Sequence, residues 1–357
     1  MTPLRVAAAT IDAIPLADRR GLVLTLRDDD GRTGLGEATP LPGTSPDDAD
    51  SCERALREAA SALGPLDPAA PGLPAAAVRR ALTPLDPLLA PLPAARFALE
   101  TALLDLLGQR LAQPLAACLG GPRPYAEVPV NGLAMASAGP DALLAAARAL
   151  LARGVTCLKV KLRARGDDAF AAELTALTAL RRELPPAALE LRLDPNGAWT
   201  PDEARLRLAA LAPLAPRFVE QPIAPHLLHT LGLAAAPWAA DESLGLPGMP
   251  ERLLDAPGCA AFVLKPAALG LLRAHQIACL AQARGLGVVV THLFDGPIAL
   301  AAASELALSL PAPPLACGLD AHAGLAAWPP VLVPQRRGPA AVTASGRAGL
   351  GVDPWMA

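Results

Sequence analysis

Apolar positions change their period along this chain, and the change predicts two kinds of architecture. Residues 3–10 and 21–27 run or alternate apolar with a β-branched bias, and Asp28-Asp29-Asp30-Gly31 follows as a turn before Leu35. That opening predicts an antiparallel meander. Ser45-Pro46-Asp47-Asp48 predicts a helix start running through Arg57, with Ser45 as the N-cap and Pro46 as the first helical residue. Beyond a stretch dense in Pro and Gly from Gly64 to Pro74, residues 94–111 set Phe97, Leu99, Ala102, Leu103, Leu106 and Leu107 at helical spacing, predicting an amphipathic helix. From Val128 the pattern becomes short apolar runs alternating with helical ones. The runs cover 128–133, 155–161, 189–194, 217–220, 238–241, 260–265, 287–292 and 315–319, with helices predicted over 140–153, 168–183, 201–211, 269–284 and 297–310.

Short apolar runs separated by helices read as buried parallel strands. Eight of them favour a closed barrel over an open doubly wound sheet. The expected fold class is α/β: a modified TIM barrel, (β/α)7β, with an N-terminal α+β capping domain completed by the C-terminal tail. The expected divisions are 1–125 for the capping domain, 126–323 for the barrel and 324–357 for the tail. Val331 to Val333 and Val342 are expected to bring the tail back onto the capping domain.

The residues that end these runs carry the chemistry. Lys159 and Lys161 end the second run, Asp194 the third, Glu220 the fourth, Asp241 the fifth and Lys265 the sixth. The acids follow one another after 26 and 21 residues, and Lys265 comes 24 further on, about one strand, one helix and two loops per step. In a barrel that spacing gathers the side chains at the carboxyl-terminal mouth. A single charge at a strand end is an ordinary solvated residue, but five in register form a constellation. Three carboxylates crowded in a low-dielectric mouth raise one another's pKa, and a hard divalent cation resolves the conflict. With no His or Cys beside them, the acids favour Mg²⁺, with Mn²⁺ able to substitute, over Zn²⁺. Lys159 and Lys161 lie two apart, so on a strand they project to one face. An ammonium beside a second ammonium and a metal ion is expected to have a depressed pKa, which makes a lysine a base near neutral pH.

Composition narrows the partners. The chain has 357 residues, 52% of them apolar, a net charge of −3 and no basic run, which argues against a nucleic-acid or anionic membrane surface. No signal core or spanning apolar run reads in the sequence, so a soluble cytoplasmic protein without membrane insertion is expected. Six scattered cysteines read as small buried hydrophobes in a reducing compartment. The absence of a Gly-rich fingerprint after the first strand argues against nicotinamide chemistry. Nothing in the pattern sets the oligomeric state, and a homo-oligomer is compatible with it.

As a set, Lys159-x-Lys161, Asp194-x-Asn196, Glu220-Gln221-Pro222, Asp241-Glu242-Ser243 and Lys265-Pro266 resemble the enolase superfamily, muconate-lactonizing-enzyme subgroup. The likeness extends to Gly34-Leu35-Gly36-Glu37-Ala38 and to Arg96 through Ala102. It implies that Asp194, Glu220 and Asp241 are metal ligands, Lys161 the base on one face, Lys159 its electrostatic neighbour and Lys265 the cation on the opposite face. It also implies a small carboxylate substrate. Leu41-Pro42-Gly43, Val128-Pro129-Val130-Asn131 and Cys317-Gly318-Leu319-Asp320 resemble the o-succinylbenzoate synthases of menaquinone biosynthesis. Those enzymes dehydrate 2-succinyl-6-hydroxy-2,4-cyclohexadiene-1-carboxylate through an enediolate, with loops such as Glu37 to Asp47 and the first hairpin as the expected lid over the succinyl arm.

The rival within the superfamily is a dipeptide epimerase or an N-succinylamino acid racemase. Dipeptide epimerases usually carry Asp-x-Asp at the eighth strand to hold an ammonium group, and Gly318-Leu319-Asp320 keeps one acid only. A barrel that binds a metal or ligand without turnover would be expected to have lost a lysine or a ligand, and none is lost. Many relatives have Glu-Ser after the seventh strand, where this chain reads Leu293-Phe294-Asp295-Gly296-Pro297, so Asp295 is a candidate substitute acid. Asn196, Glu242, His292, Asp320 and His322 complete the candidates for touching substrate or supporting the ligands.

Overall fold

The computed structural model describes residues 2–16, 18–67, 71–120, 125–162, 166–328 and 340–353. The chain opens on strands β1 (Val6–Pro15), β2 (Arg20–Asp28) and β3 (Thr33–Ala38), an antiparallel sheet in that order. Asp28 closes the β2–β3 turn by accepting the N–H of Asp30 (3.0 Å) and of Arg32 (2.8 Å). Helices α1 (Ala49–Ala62), α2 (Pro74–Leu82), α3 (Asp86–Leu89), α4 (Pro93–Leu111) and α5 (Leu115–Gly120) follow. The cap of α1 is Asp48, which accepts the N–H of Ser51 while Ser51 answers with its hydroxyl, so the expected N-cap at Ser45 is corrected by three residues. Ser45 instead receives the N–H of Leu41 on its hydroxyl at 2.9 Å and tightens the loop before the helix.

Helix α4 departs from its expected single apolar face. It is buried almost all round, including Glu100, Thr101 and Asp105, because it is pressed between the β-sheet and the barrel. Gly34 and Gly36 allow that approach: a Cβ at either would stand 2.2 Å from the carbonyl oxygen of Ala102 or 1.9 Å from that of Ala98.

The second half is a ring of parallel strands wrapped in helices. In chain order it comprises β4 (Glu127–Pro129), β5 (Gly132–Met135), α6 (Pro140–Ala152), β6 (Cys157–Lys161), α7 (Asp167–Glu183), β7 (Glu190–Asp194), α8 (Pro201–Leu211) and β8 (Phe218–Glu220). It continues through β9 (Trp238–Ala240), α9 (Met249–Leu253), β10 (Cys259–Leu264), α10 (Pro266–Leu269), α11 (Leu271–Ala283), β11 (Gly287–Val290) and α12 (Pro297–Leu308). Strands β5 to β11 pair in sequence order. The expected first strand over 128–133 divides into β4 and β5, and the expected eighth strand over 315–319 forms isolated bridges. That eighth segment still bonds on both sides, from Gly318 N–H to Val290 and from Cys317 N–H to Pro129, so the ring closes.

The tail splits its contacts. Strand β12 (Ala341–Thr343) pairs with β4 of the barrel, whereas Gly349 bonds Gln113 and Leu115, and Leu350 donates to Asp105 of α4. Val331 to Val333 lie outside the described residues.

Candidate active site

Alternation along β6 and β7 aims the site. On β6, Lys159 and Lys161 share a face while Val160 between them is buried on the other, and the register sets Lys161 beside Asp194. Below Asp194, Arg192 fills the barrel interior: it pairs with Glu190 at 2.7 Å, donates to the Ala316 carbonyl at 2.6 Å and lies 5.2 Å from the centre of the Phe218 ring. The short interior side chains of Ala239, Ala261, Val263 and Val289 pack beside Phe218, giving the mouth a filled floor.

The three strand-end acids meet at the mouth. Asp194, Glu220 and Asp241 are buried, and one carboxylate oxygen of each lies within 4.8 Å of the others. Three lysines surround them. Lys159 reaches Glu220 at 2.5 Å and Asp194 at 2.8 Å, Lys161 reaches Asp194 at 2.6 Å, and Lys265 reaches Asp241 at 2.6 Å. Lys161 also donates to Asn196 (2.6 Å), whose amide donates to Glu242 (3.3 Å), and Glu242 pairs with Lys265 (3.2 Å). A polar chain therefore links Lys161 to Lys265 across the mouth.

Crowding sets the protonation of these groups. Burial and the charge of Asp194 push Glu220 well above its ordinary value. Burial would raise Asp194 and Asp241 too, but Lys159 and Lys161 outweigh it at Asp194, and Lys265 and Lys159 outweigh it at Asp241, so both are held low. Burial would lower Lys159, yet Glu220, Asp194 and Asp241 hold its ammonium above the usual range. Lys265 is likewise held high, with burial opposed by Asp241 and Glu242. The donor set is all carboxylate oxygen, hard and close-set, with more negative charge in one place than the mouth tolerates unbalanced. Those residues fit a hard divalent cation.

Sequence reasoning passed over Gln221, although the Glu-Gln-Pro motif contains it. It is fully buried, and its φ of 40° is rare for a residue with a side chain. Its side-chain carbonyl accepts the N–H of Asp241 and of Ser243, both at 3.1 Å, and its amide donates to the Ile223 carbonyl at 2.9 Å. Its backbone carbonyl receives Gly197 N–H at 2.6 Å. Gln221 therefore ties together the loops that carry all three acids. The signal was a neutral amide locked between two charged motifs, where a solvated loop would need none.

A cavity of about 370 Å³ opens above the acids, lined by Lys159, Lys161, Asn196, Glu242, Lys265 and His292 among others. Leu41 and Thr44 of the capping domain reach into it, as does Phe294, about half exposed and at a φ of 56°. His292, Phe294 and His322 form one ring cluster, with centroids 4.6–5.6 Å apart. Asp320 lines the rim but is paired with Arg153 at 2.8 Å. Asp295 is the candidate that the structure removes from the mouth. It is buried behind the loop, accepting Leu293 N–H at 2.8 Å and the Thr39 hydroxyl at 3.2 Å.

Known proteins match this arrangement. The family model for the mandelate racemase / muconate lactonizing enzyme N-terminal domain covers residues 1–120, and the enolase C-terminal domain-like model covers residues 142–356. Over 207 residues the chain is 38% identical to an o-succinylbenzoate synthase of Thermobifida fusca (strain YX), a match spanning 57% of this chain and 63% of that relative. Over 319 residues it is 33% identical to an L-Lys-D/L-Arg epimerase of Methylococcus capsulatus (strain ATCC 33009 / NCIMB 11132 / Bath), spanning 87% of this chain and 83% of the relative. A crystal structure of a dipeptide epimerase from Methylococcus capsulatus, complexed with Mg and the dipeptide L-Arg-D-Lys, aligns with a TM-score of 0.80 at 27% identity over 98% of this chain and 99% of its own. The chain belongs to the enolase superfamily, a family of enzymes.

Proposed function

We propose that this protein is a Mg²⁺-dependent o-succinylbenzoate synthase, acting on 2-succinyl-6-hydroxy-2,4-cyclohexadiene-1-carboxylate in menaquinone biosynthesis. The observation that carries this choice over a dipeptide epimerase is the Arg153–Asp320 ion pair. The acid at the eighth strand already serves a guanidinium, so an ammonium group on the substrate would have to compete for it. The T. fusca relative supports the same reading.

In this reading Asp194, Glu220 and Asp241 hold the cation. When bound, a divalent cation there neutralises the three acids and stabilises negative charge on the substrate carboxylate. Lys161, fixed by Asp194 and Asn196, removes the proton from the carbon next to the carboxylate. The electron pair of that C–H bond moves into the carboxylate to give an enediolate, and it returns to form a ring double bond as the C–O bond of the hydroxyl breaks on the same face. Lys161 returns its proton to the departing oxygen, and water leaves as the ring becomes aromatic. Lys265, held protonated by Asp241 and Glu242, faces the charged intermediate and stabilises it by charge and by cation–π contact. The capping domain acts as the lid, chiefly through the loop from Glu37 to Asp47 and the first hairpin, with Leu41 and Thr44 closing over the mouth.

The test is turnover of the cyclohexadiene with and without Mg²⁺. Activity should vanish in chelator and return with Mg²⁺ or Mn²⁺, and full activity in metal-free protein would reject the assignment of the acids. A second reading, N-succinylamino acid racemase or dipeptide epimerase, has the opposed lysines and the Methylococcus relative in its favour. It requires Lys265 to exchange a proton with carbon, which the dehydration does not.

A further inference from the structure

A second cavity, of about 690 Å³, lies beside the mouth, between the capping domain and helix α11. The two cavities share Thr44, Glu242 and Lys265, so one leads into the other past the Lys265 ammonium. Its lining joins the apolar Leu246, Leu269 and Leu272 to Arg79 of α2 and Arg273 of α11, two arginines that are exposed at the surface. Gln276, one turn beyond Arg273 on the same helix face, accepts from Arg79 at 3.3 Å and bridges the capping domain to the barrel at that end.

The charges on this wall are unequally engaged. Asp86 is paired with Arg96, and Glu100 accepts the N–H of Leu272 at 2.9 Å and pairs with Arg96 at 3.4 Å. Asp241 and Glu242 are held by Lys265. Arg273 and Arg79, both exposed, make no ion pair among the described residues, and Arg79 donates to the neutral Gln276 and adds its charge to the burial that lowers the pKa of His275. The cavity thus places apolar side chains, the Lys265 ammonium and two guanidinium groups without carboxylate partners among the described residues on one wall. Guanidinium groups suit bidentate capture of a carboxylate.

We infer that this cavity is a subsite for an acidic arm of the substrate, a short methylene chain tipped by a carboxylate, with Arg273 and Arg79 as the carboxylate receptor. The inference deepens the proposed function by placing the arm on the Lys265 side of the mouth, and it rests on that reading only for which arm it is. It holds for any substrate of this mouth that carries a second carboxylate.

The test is binding of a bare diacid to the Mg²⁺-loaded protein. Succinate and glutarate, with the neutral succinamide as control, are titrated by calorimetry into wild type, Arg273→Gln, Arg79→Gln and the double variant. Each single variant should weaken diacid binding about tenfold and the double variant about a hundredfold, as expected for loss of charge-assisted hydrogen bonds. Mn²⁺ affinity read by electron paramagnetic resonance and the thermal midpoint should stay at wild-type values, which separates loss of the subsite from loss of fold or metal. With any diacid substrate that is turned over, KM should rise about tenfold with little change in kcat. Diacid binding equal in wild type and the double variant, no diacid binding by wild type, or succinamide binding as tightly as succinate would each overturn the subsite. If the cyclohexadiene proves not to be a substrate while Arg273→Gln still weakens succinate, the proposed reaction fails and the subsite stands.

Discussion

Two sets of buried carboxylates in this molecule share a burial and differ in their partners. At the mouth, Asp194, Glu220 and Asp241 face one another and are balanced by lysine side chains. Along the seam between the capping domain and the barrel, Glu37 and Glu100 face backbone N–H groups. Glu37 accepts from Gly296, Ile298 and Ala299 at 2.6–3.1 Å, at the start of α12, and Glu100 accepts from Leu272 at the start of α11. Neither helix has a capping side chain of its own. The capping domain supplies both, and a carboxylate at a helix N-terminus is favoured by the free N–H groups and the helix dipole. Asp105 does the same for the chain ends it joins, accepting Leu35 N–H at 3.0 Å and Leu350 N–H at 2.8 Å. Buried acid is therefore no mark of chemistry in itself. At the seam, backbone N–H groups receive the acids and so join the two halves, whereas at the mouth the acids face one another and three lysines converge on them.

That contrast breaks most sharply at Lys161. Lys161→Ala should remove roughly 10²–10⁴-fold or more of the turnover, since a positioned base contributes about that much and here it acts twice. Its thermal midpoint should stay near wild type, and a large loss of stability with activity retained would put Lys161 in the structural class. Next comes Gln221, which supports the mouth without touching it chemically. Gln221→Leu should weaken Mn²⁺ binding by about 10–100-fold, the usual cost of removing a group that orients metal ligands. Unchanged Mn²⁺ affinity would show that the three loops hold themselves.

The seam predicts a pH effect and no direct catalytic one. Burial and the neighbouring Asp295 push Glu37 from 4.5 up to about 7. An acid held above its unfolded value favours the protonated folded state, so its stabilising effect is complete below about 4.5 and is lost as pH rises toward 7. The size is on the order of 3 kcal/mol. Glu37→Gln should flatten the fall of unfolding free energy between pH 5 and 7, measured in denaturant, and an unchanged slope would remove Glu37 as its cause. The smallest effect is expected at the rim. Asp320→Asn should leave cyclohexadiene turnover within about threefold, the range of a surface ion pair worth up to 1 kcal/mol, while a dipeptide epimerase would lose most of its specificity constant.

The sequence made the mouth legible because strand-end residues recur with the period of a strand–helix unit, and that period needs no knowledge of distant contacts. Lys159, Lys161, Asp194, Glu220, Asp241 and Lys265 meet where it placed them. The seam was opaque for the opposite reason. Glu37 bonds residues about 260 positions away and Glu100 about 170, so no local pattern marks either as a helix cap. Asp295 was misplaced on the same ground: its loop ends a strand like the others, but Thr39 of the capping domain and the N–H of Leu293 draw its carboxylate away from the mouth. Helix α4 looked one-sided because its alanines are silent in an apolar pattern, and they pack as tightly as its leucines. The eighth strand was found in position and overstated in regularity, since a strand held by bridges on both sides still closes a ring.

The central claim is that the mouth dehydrates, and a three-substrate comparison tests it most directly. The Mg²⁺-loaded protein is given the succinyl hydroxycyclohexadiene carboxylate, then each enantiomer of an N-succinylamino acid in D₂O, then an L,L-dipeptide, and kcat/KM is measured for dehydration, α-proton exchange and epimerisation. The account predicts fast dehydration with slow or absent exchange of the amino acid and no epimerisation of the dipeptide. Fast exchange or epimerisation, with the cyclohexadiene poorly used, would contradict it.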